Sequence, residues 1–326
     1  MIDVVPVRLT NLLSCAQLSP PMVDQLFARA RYWLSLLDPD FRQKTNPPKP
    51  LAGLVQHNIF FESSTRTSVS FDQAGKLLGA SVVAVNLAAS SLNKGESLFD
   101  TLATLMAMRP QLVVMRHGAS GAAAFAAQHF PEVAFVNAGD GWHGHPTQAL
   151  LDAFTIQQLK GRVGGLTVAI VGDILHSRVA RSNLLLLQLL GAQVRLVAPP
   201  QLLPDHIELL GASVHSDLAS GLADADVVML LRVQEERMGG SFVASRADYF
   251  AGYGLTHQRL AAAKPDAIVM HPGPFLCDVE IASELADDAS RSVILNQVTH
   301  GVAIRMAVLE LLALGRGWIA DVEGAR

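Results

Sequence analysis

Short apolar runs with the composition of β-strands recur along the chain, and most are followed by a longer stretch in which apolar residues repeat at helical spacing. The predicted strands are residues 56–61, 81–86, 111–115, 133–137, 166–171, 193–197, 226–231, 267–270 and 292–295. A helical pattern over residues 22–37 and a proline-rich turn at 46–50 precede them. Alternation of strands and helices is typical of parallel sheets with crossover helices, so the pattern predicts an α/β fold.

The length predicts two domains. The chain has 326 residues, half of them hydrophobic, which is long for one domain and sufficient for two cores. A glycine-rich stretch at 160–165, KGRVGG, suggests a boundary in this region. We therefore predict two doubly wound parallel-sheet domains, residues 1–150 and 151–297, with the active site in the cleft between them. The final helix, within 298–326, is expected to pack back on the first domain.

Composition and charge narrow the class of partner. Only 17% of the residues are charged, the net charge is −4 and the basic residues are scattered, which disfavours nucleic acid. Two cysteines far apart in sequence form no disulfide framework and fit a reducing compartment. Neither a signal-peptide pattern nor a run of about 20 apolar residues is evident. We expect a cytoplasmic protein that binds neither nucleic acid nor membrane.

Residues 58–71, NIFFESSTRTSVSF, have the pattern of an anion site. An apolar strand ends at Glu62, hydroxyl residues follow, and helical spacing begins at Ser68. The first N–H groups of a helix have no intrahelical partner, and the helix dipole places partial positive charge there. The hydroxyl groups and the Arg66 guanidinium can bind phosphate oxygens. The alternative is a helix cap beside a surface arginine.

Arg, His or Gln residues follow several predicted strands. Parallel sheets bind ligands beyond the carboxyl ends of their strands, so these residues are candidates for one cleft. Among them, four arginines suit a small, multiply anionic ligand set, although each arginine alone could be a solvated ion-pair partner. The candidates are Arg66, Arg116, His117, His145, Gln148, Arg178, Arg232, Gln234 and His271.

Two further motifs have weaker interpretations. Residues 139–146, GDGWHGHP, contain GxGxxG, but the helix that follows opens at Pro146 and Gln148, so a nucleotide site is disfavoured. His143 and His145 could be a metal pair, but no further group has ligand spacing; we expect no metal and no cofactor. Residues 90–97, SSLNKGES, form either a flexible surface loop or a loop that brings Lys94 onto a phosphate.

These motifs resemble the aspartate/ornithine carbamoyltransferase family over nearly the whole chain. FFESSTRT at 60–67 and HPTQALLD at 145–152 resemble the two carbamoyl phosphate signatures of the family. GDILHSRVARS, LLRVQEER and HPGP resemble its aspartate branch, whereas the ornithine branch has a cysteine near the position of His271. The resemblance implies transfer of the carbamoyl group of carbamoyl phosphate to the α-amine of L-aspartate, giving N-carbamoyl-L-aspartate and phosphate for pyrimidine biosynthesis.

The resemblance also implies roles for individual residues. Ser64, Thr65, Arg66 and Thr67 match the groups that hold the phosphate. Arg116 and His145 match the groups that polarise the carbonyl oxygen of carbamoyl phosphate. Gln148, Pro272 and Gly273 match the groups that contact its carbamoyl amide. Arg178, Arg232, Gln234 and Lys94 match the residues that bind aspartate in the family. The catalytic set is Arg66, Lys94, Arg116 and His145, with Ser90 and Lys94 donated in trans within a homotrimer.

One loop departs from the family pattern. Relatives continue HPGP with an Asn-Arg-Gly segment, whereas this chain has Phe275-Leu276-Cys277-Asp278 and lacks that arginine. This loop favours one alternative, a non-catalytic homologue kept for assembly or regulation. A second alternative, a carbamoyltransferase for another amino acid, is disfavoured by RVQ at 232–234 and HPGP at 271–274. The family also allows dihydroorotase or regulatory chains as partners in a larger assembly.

Overall fold

The computed structural model describes residues 8–87, 96–234 and 245–320. The chain divides into two compact units. Unit 1 consists of Met1–Leu150 together with Thr299–Arg326, and unit 2 consists of Leu151–Val298. The predicted loop at 90–97 lies largely outside the described residues, and with it Ser90 and Lys94.

Unit 1 is built on a parallel sheet of four strands in the order β2-β1-β3-β4. The strands are β1 (Val55–Phe60), β2 (Ser81–Asn86), β3 (Leu112–His117) and β4 (Ala134–Asp140). Helices before and between them are α1 (Pro20–Ser35), α2 (Pro39–Lys44), α3 (Thr65–Leu77), α4 (Leu98–Met106) and α5 (Ala122–His129). Every residue of β4 is buried, as expected for a parallel strand whose faces are both covered.

The core of unit 1 forms where apolar side chains of the sheet pack on those of α4 and α5. Ile59, Val113 and Phe135 on the strands join Leu102 and Ala126 on the helices in one buried cluster. At the outer edge of the sheet, Leu12 pairs with β4. Its N–H donates to the Phe135 carbonyl, and its carbonyl accepts from the Asn137 N–H. The rigid sheet thus fixes where β1, β3 and β4 end.

Unit 2 contains a second parallel sheet of five strands in the order β7-β6-β5-β8-β9. Its strands are β5 (Thr167–Val171), β6 (Gln193–Val197), β7 (Ser213–His215), β8 (Val227–Leu230) and β9 (Ile268–Met270). The helices of this unit are α7 (Arg178–Leu189), α8 (Leu218–Leu222), α9 (Arg246–Tyr253), α10 (His257–Leu260) and α11 (Ser283–Ala286). The predicted α/β fold with two parallel sheets is therefore confirmed.

Two helices belong partly to each unit. They are α6 (Pro146–Lys160) and α12 (Ile294–Gly315). By length and composition α12 could cross a membrane, with mean hydropathy 1.5, but 78% of its apolar window is buried inside the protein. Such burial is common in core helices of soluble proteins, so the helix is weak evidence for a membrane span. The helix is not an unbroken apolar run, because polar and charged residues such as Asn296, Arg305 and Glu310 interrupt it.

The structure corrects three local predictions. Residues 292–295 are not a strand, because Ser292 forms only an isolated bridge with Val269 before α12 begins at Ile294. The short edge strand β7 was not predicted; its exposed residues lack the apolar run that marks the central strands. Helix α3 begins at Thr65 instead of Ser68.

Candidate active site

The predicted anion site lies at the start of α3. Ser64 is the residue before the helix, and its carbonyl accepts the first helical hydrogen bond, from the Ser68 N–H, at 2.9 Å. The N–H groups of Thr65, Arg66 and Thr67 come before that bond, in the first turn, where backbone N–H groups have no partner within the helix. Because the helix begins three residues earlier than predicted, the hydroxyl residues and Arg66 occupy its first turn, where the dipole favours an anion.

Hydrogen bonding orders the hydroxyl groups of this turn. The Ser64 hydroxyl donates to Thr67 Oγ1 at 2.9 Å, and Thr67 is buried. Thr65 and Arg66 are exposed. The turn therefore combines a fixed pair of hydroxyl groups with a guanidinium that is accessible to a solute.

Arg116 lies in β3 beside the end of β1. Its backbone pairs in register with Phe60, and its carbonyl accepts from the Phe61 N–H at 2.9 Å. The guanidinium Nη1 donates to the Ala138 carbonyl of β4 at 3.1 Å, and Nε lies 3.5 Å from Glu62 Oε2. The side chain is 14% exposed, so a largely buried positive charge is held at the ends of three adjacent strands.

His145 and Gln148 open α6, directly after the turn that follows β4. The His145 carbonyl accepts from the N–H groups of Gln148 at 3.0 Å and Ala149 at 3.3 Å, which makes His145 the residue before the helix. Both predicted side chains are buried, at 4% and 8% exposure. They leave the sheet at the carboxyl end of β4, next to the strand that carries Arg116.

Unit 1 thus brings the predicted carbamoyl phosphate residues to one edge of its sheet. Strand β1 leads to Ser64–Thr67, the carboxyl end of β3 carries Arg116, and β4 leads through a turn to His145 and Gln148. The strand order changes direction between β1 and β3, which is where open parallel sheets bind ligands. Strand β2 leads into residues 88–95, so the placement of Ser90 and Lys94 lies outside the described residues.

His117 follows Arg116, and its imidazole has a lowered pKa, which favours the neutral form. Burial lowers the pKa of the His117 imidazole, although the negative charges of Glu62 and Asp140 oppose that effect. Its Nδ1 accepts from the Ala119 N–H at 2.8 Å. This bond engages His117 in the loop after β3.

The predicted aspartate residues of unit 2 follow the adjacent strands β5 and β8. Arg178 is the first residue of α7 and is 6% exposed, with Ser177 capping the helix through a bond from the Ala180 N–H. Arg232 and Gln234 follow β8. The sheet order of unit 2 changes direction between β5 and β8, so the two arginines flank the second switch point.

A buried carboxylate fixes Gln234. Asp173 follows β5 and accepts from the His176 N–H at 3.1 Å and from His176 Nδ1 at 2.9 Å. The Gln234 N–H donates to the other oxygen of Asp173 at 3.3 Å, and Gln234 Nε2 donates to the His176 carbonyl at 3.2 Å. Asp173 was not predicted as a site residue; its only signal in the sequence is its place directly after a strand.

Glu280 connects the Arg232–Gln234 segment to the loop at Phe275–Asp278, whose sequence differs from the family pattern. It accepts from the Val233 N–H at 3.1 Å and from the Leu276 N–H at 2.6 Å. Burial raises the pKa of the Glu280 carboxyl, while these bonds and Arg232 oppose the rise. The loop has this anchor despite its unusual sequence, and the Asp278 N–H also donates to the Ile281 carbonyl at 2.8 Å.

Pro272 and Gly273 follow β9, in a turn with defined hydrogen bonds. The His271 N–H donates to Gln297 Oε1 at 2.9 Å, and the Gly273 N–H donates to His271 Nδ1 at 2.8 Å. Gln297 in turn donates to Asp152 at 2.8 Å. The Gly273–Pro274 peptide is cis.

The described residues offer no evident metal centre. Among residues 8–87, 96–234 and 245–320, no three His, Cys, Asp or Glu side chains are grouped closely enough to hold an ion. His143, considered above as a metal ligand with His145, instead contacts Asp140 at 3.1 Å through Nδ1.

Two family models match the chain, one for each half. Residues 10–158 match the carbamoyl-P binding domain of aspartate/ornithine carbamoyltransferase, and residues 164–312 match its Asp/Orn binding domain. Together the matches cover the predicted phosphate residues in the first domain and the predicted aspartate residues in the second.

Relatives with assigned names are similar over most of the chain. The aspartate carbamoyltransferase catalytic subunit of Maricaulis maris is 54% identical over 303 residues, which is 93% of this chain and 93% of that protein. The corresponding subunit of Acidiphilium cryptum is 58% identical over 263 residues, covering 81% of this chain and 84% of that protein.

Solved structures show the same similarity. Aspartate transcarbamoylase of Trypanosoma cruzi in complex with N-(phosphonacetyl)-L-aspartic acid has a TM-score of 0.81 and 32% identity, covering 93% of this chain and 95% of that one. The catalytic subunit of M. jannaschii aspartate transcarbamoylase has a TM-score of 0.81 and 31% identity, covering 94% and 98%.

Proposed function

The chain belongs to the aspartate/ornithine carbamoyltransferase family, and we propose from this premise that it is an aspartate carbamoyltransferase. It transfers the carbamoyl group of carbamoyl phosphate to the α-amine of L-aspartate, giving N-carbamoyl-L-aspartate and phosphate. The observation that carries the proposal is the 54% identity to catalytic subunits of that name over 93% of both chains. A structure of the T. cruzi enzyme with carbamoyl phosphate and aspartate supports the choice of substrates.

Unit 1 supplies most of the groups for carbamoyl phosphate, and Pro272 and Gly273 of unit 2 add two carbonyls. In this proposal Ser64, Thr65, Arg66 and Thr67 bind the phosphate, because the start of α3 offers backbone N–H groups, hydroxyl groups and a guanidinium together. Arg116 and His145 donate to the carbonyl oxygen. The carbamoyl amide is bound by Gln148, with the backbone carbonyls of Pro272 and Gly273 as further acceptors.

Unit 2 supplies the groups for aspartate. Arg178 and Arg232 match the two carboxylates of the substrate in charge and number, since a guanidinium binds a carboxylate through two parallel hydrogen bonds. Gln234, held by Asp173 and His176, adds a neutral donor. A substrate with a cationic side chain, such as ornithine, finds no such complement in these arginines.

The reaction follows from polarisation and orientation. The amine nitrogen bonds to the carbamoyl carbon, negative charge grows on the carbonyl oxygen, and the bond from carbon to the phosphate oxygen breaks. Phosphate leaves with the electron pair and can accept the proton lost by the amine. Donors such as Arg116 and His145 each contribute about 3 kcal/mol to the transition state, and orienting two small substrates contributes up to about 7 kcal/mol.

We further propose a cytoplasmic homotrimer in which Ser90 and Lys94 act in the site of the neighbouring chain. The support is the likeness of the segment at 90–97 to the family loop. Lys94 would then contact both phosphate and aspartate. Regulatory or dihydroorotase chains remain candidate partners of such a trimer.

Turnover with two amine substrates tests the proposal. The purified protein is incubated with carbamoyl phosphate and either L-aspartate or L-ornithine, and release of phosphate and the carbamoylated product is measured. Turnover with aspartate alone is expected. Preference for another amine would contradict the assigned substrate, and failure with every amine at saturating carbamoyl phosphate would favour a non-catalytic homologue with the altered loop at Phe275–Asp278.

A further inference from the structure

Asp140 is a buried carboxylate without a role in the chemistry described above. It is the last residue of β4 and is 2% exposed. Its Oδ1 accepts from Asn137 Nδ2 at 2.8 Å and from the Gly144 N–H at 3.0 Å, and its Oδ2 accepts from the Gly121 N–H at 2.7 Å. His143 Nδ1 lies 3.1 Å from Oδ2. Both oxygens are thus engaged by donors, as a buried carboxylate requires.

The first of these contacts fixes the turn that leads to His145. Asp140 accepts from the Gly144 N–H, and its own N–H donates to the Gly144 carbonyl at 3.1 Å. Both backbone polar groups of Gly144 are therefore bonded to one residue. Because His145 is next in the chain, its backbone position is set by Asp140.

The second contact fixes the turn that follows Arg116. The Gly121 N–H, bonded to Asp140, comes directly before α5 and closes the turn that starts at the end of β3. The Gly141 N–H also donates to the His117 carbonyl at 2.9 Å. One carboxylate therefore holds both turns, the one after Arg116 and the one before His145.

Close packing reinforces this connection. The Trp142 N–H donates to Ser120 Oγ at 3.2 Å. A Cβ added to Gly141, whose φ is +45°, would lie 2.3 Å from Ser120 Oγ and 2.6 Å from the Ser120 nitrogen. The two turns are interlocked at this point, so a shift of one displaces the other.

We propose that Asp140 is a positioning residue that sets Arg116 and His145 relative to each other. The inference rests on the proposed function, since it assigns these two groups to the carbonyl oxygen of carbamoyl phosphate. Asparagine is the informative replacement, because an amide has the same shape but only one acceptor oxygen. Its NH2 group would face the N–H of either Gly121 or Gly144, and one turn would be released.

The test compares binding of two ligands with turnover. For Asp140→Asn we expect kcat to fall about 10- to 100-fold, as for a displacement of about 1 Å in a catalytic group. Affinity for inorganic phosphate, measured by calorimetry, should stay within about twofold of the wild-type value. The proposed phosphate groups lie at the start of α3 and are not among the contacts of Asp140. Affinity for phosphonoacetamide, which adds a carbonyl to the phosphonate, should fall about tenfold or more.

A matched control separates positioning from general loss of stability. Asp226 is another buried aspartate, which accepts from the Thr167 N–H at 2.9 Å and from Lys264 Nζ at 2.7 Å, in unit 2. Asp226→Asn should lower the melting temperature yet leave the ratio of phosphonoacetamide to phosphate affinity at the wild-type value. An equal ratio in Asp140→Asn and wild type would overturn the proposal.

A second variant covers failure of Asp140→Asn to fold. The side chain of His143 is 48% exposed, and His143→Ala removes its Nδ1 contacts with both oxygens of Asp140, at 3.2 and 3.1 Å. The same affinity ratio should fall about two- to fivefold. An unchanged ratio counts against the proposal. Absence of turnover in the wild type would instead refute the proposed function, so the two failures are distinguishable.

Discussion

At the scale of the residue, Arg116 combines two demands that usually compete. Its guanidinium must be available to a carbonyl oxygen, yet it is largely buried, where an uncompensated charge is costly. The Ala138 carbonyl, 3.1 Å from Nη1, and Glu62, 3.5 Å from Nε, compensate that charge. The Arg116 guanidinium is therefore held in place before the substrate binds.

Removal of this side chain should slow the chemical step. In Arg116→Ala we expect kcat for carbamoyl transfer to fall about 100-fold or more, because a donor to the developing negative charge is lost. Steady-state kinetics at varied carbamoyl phosphate give the measurement, with Arg162→Ala as a surface control. A rise in KM alone, with kcat unchanged, would show that Arg116 binds the ground state and does not polarise the carbonyl.

Sequence patterns could predict the residues with distinctive chemistry but not those that hold them. Arg116, His145 and Arg178 are detectable because they are polar residues at, or a few residues beyond, the carboxyl ends of apolar strands. Asp140, Asp173 and Glu280 were missed because their role depends on which backbone N–H groups they reach. Those donors belong to segments as distant as Gly121 from Asp140 or Val233 from Glu280, and no local pattern encodes such contacts.

At the scale of the element, α1 and α12 are joined inside unit 1 by a buried ion pair. Arg29 donates to Glu310 through Nε at 2.9 Å and through Nη2 at 2.6 Å, and Trp33 Nε1 donates to the same carboxylate at 2.7 Å. Both charged side chains are nearly inaccessible, at 6% and 4% exposure. Glu310 therefore satisfies three donors of α1 at once.

Breaking this pair should destabilise unit 1. In Glu310→Ala the Arg29 charge and the Trp33 N–H remain buried without their acceptor, which costs about 3–5 kcal/mol. Asp72→Ala is the control, because its ion pair with Lys76 is exposed and contributes less than about 1 kcal/mol. Hydrogen exchange of amides in α1 measures the difference; equal protection in the two variants would contradict the expected contribution of burial.

Elements with strong patterns were predictable and those with weak patterns were not. Residues 81–86 were predicted as a strand and form β2 over the same span. The run at 292–295 has strand-like composition, but a single bridge to Val269 is followed at once by α12, so helix packing overrides local propensity. The start of α3 was misplaced because Thr and Ser are weak helix formers that are nevertheless favoured near a cap.

At the scale of the whole molecule, three histidines make the stability of unit 1 depend on pH. Burial lowers the pKa of His57, His117 and His300, and all three belong to unit 1. A histidine whose pKa is lower in the folded state stays neutral there while the unfolded chain takes up a proton. Below the unfolded pKa of about 6.5 the unfolded state thus binds more protons, and stability falls as the pH falls.

Acidification should therefore weaken unit 1. Between pH 7.5 and 5.5 we expect amides of β1 and β3 to lose protection against hydrogen exchange, after correction for the intrinsic exchange rate. Burial lowers the pKa of His57, which is 2% exposed, so its contribution to stability falls as the pH drops below about 6.5. His57→Leu should reduce the pH dependence, whereas His206→Gln, at an exposed histidine, should not. An identical slope in His57→Leu and wild type would contradict this prediction.

The proposed trimer makes a complementation test possible. Lys94→Ala and His145→Ala are each expected to be inactive, and they are dissociated mildly and reassembled together. If a site needs His145 from one chain and Lys94 from the next, every mixed cyclic trimer holds one intact site. Random mixing in equal amounts should restore roughly a quarter of the sites. Mixed trimers confirmed by mass but without activity would show that Lys94 acts within its own chain.

The division of the chain has a consequence for its synthesis. Unit 1 takes residues from both ends, whereas unit 2 is the continuous stretch Leu151–Val298. A chain leaving the ribosome therefore presents all of unit 2 before Glu310 has emerged to meet Arg29. Domains usually fold in order from the N-terminus; here the unit translated first is the last to be completed, and until Glu310 emerges the face of α1 that carries Arg29 has no partner helix to pack against.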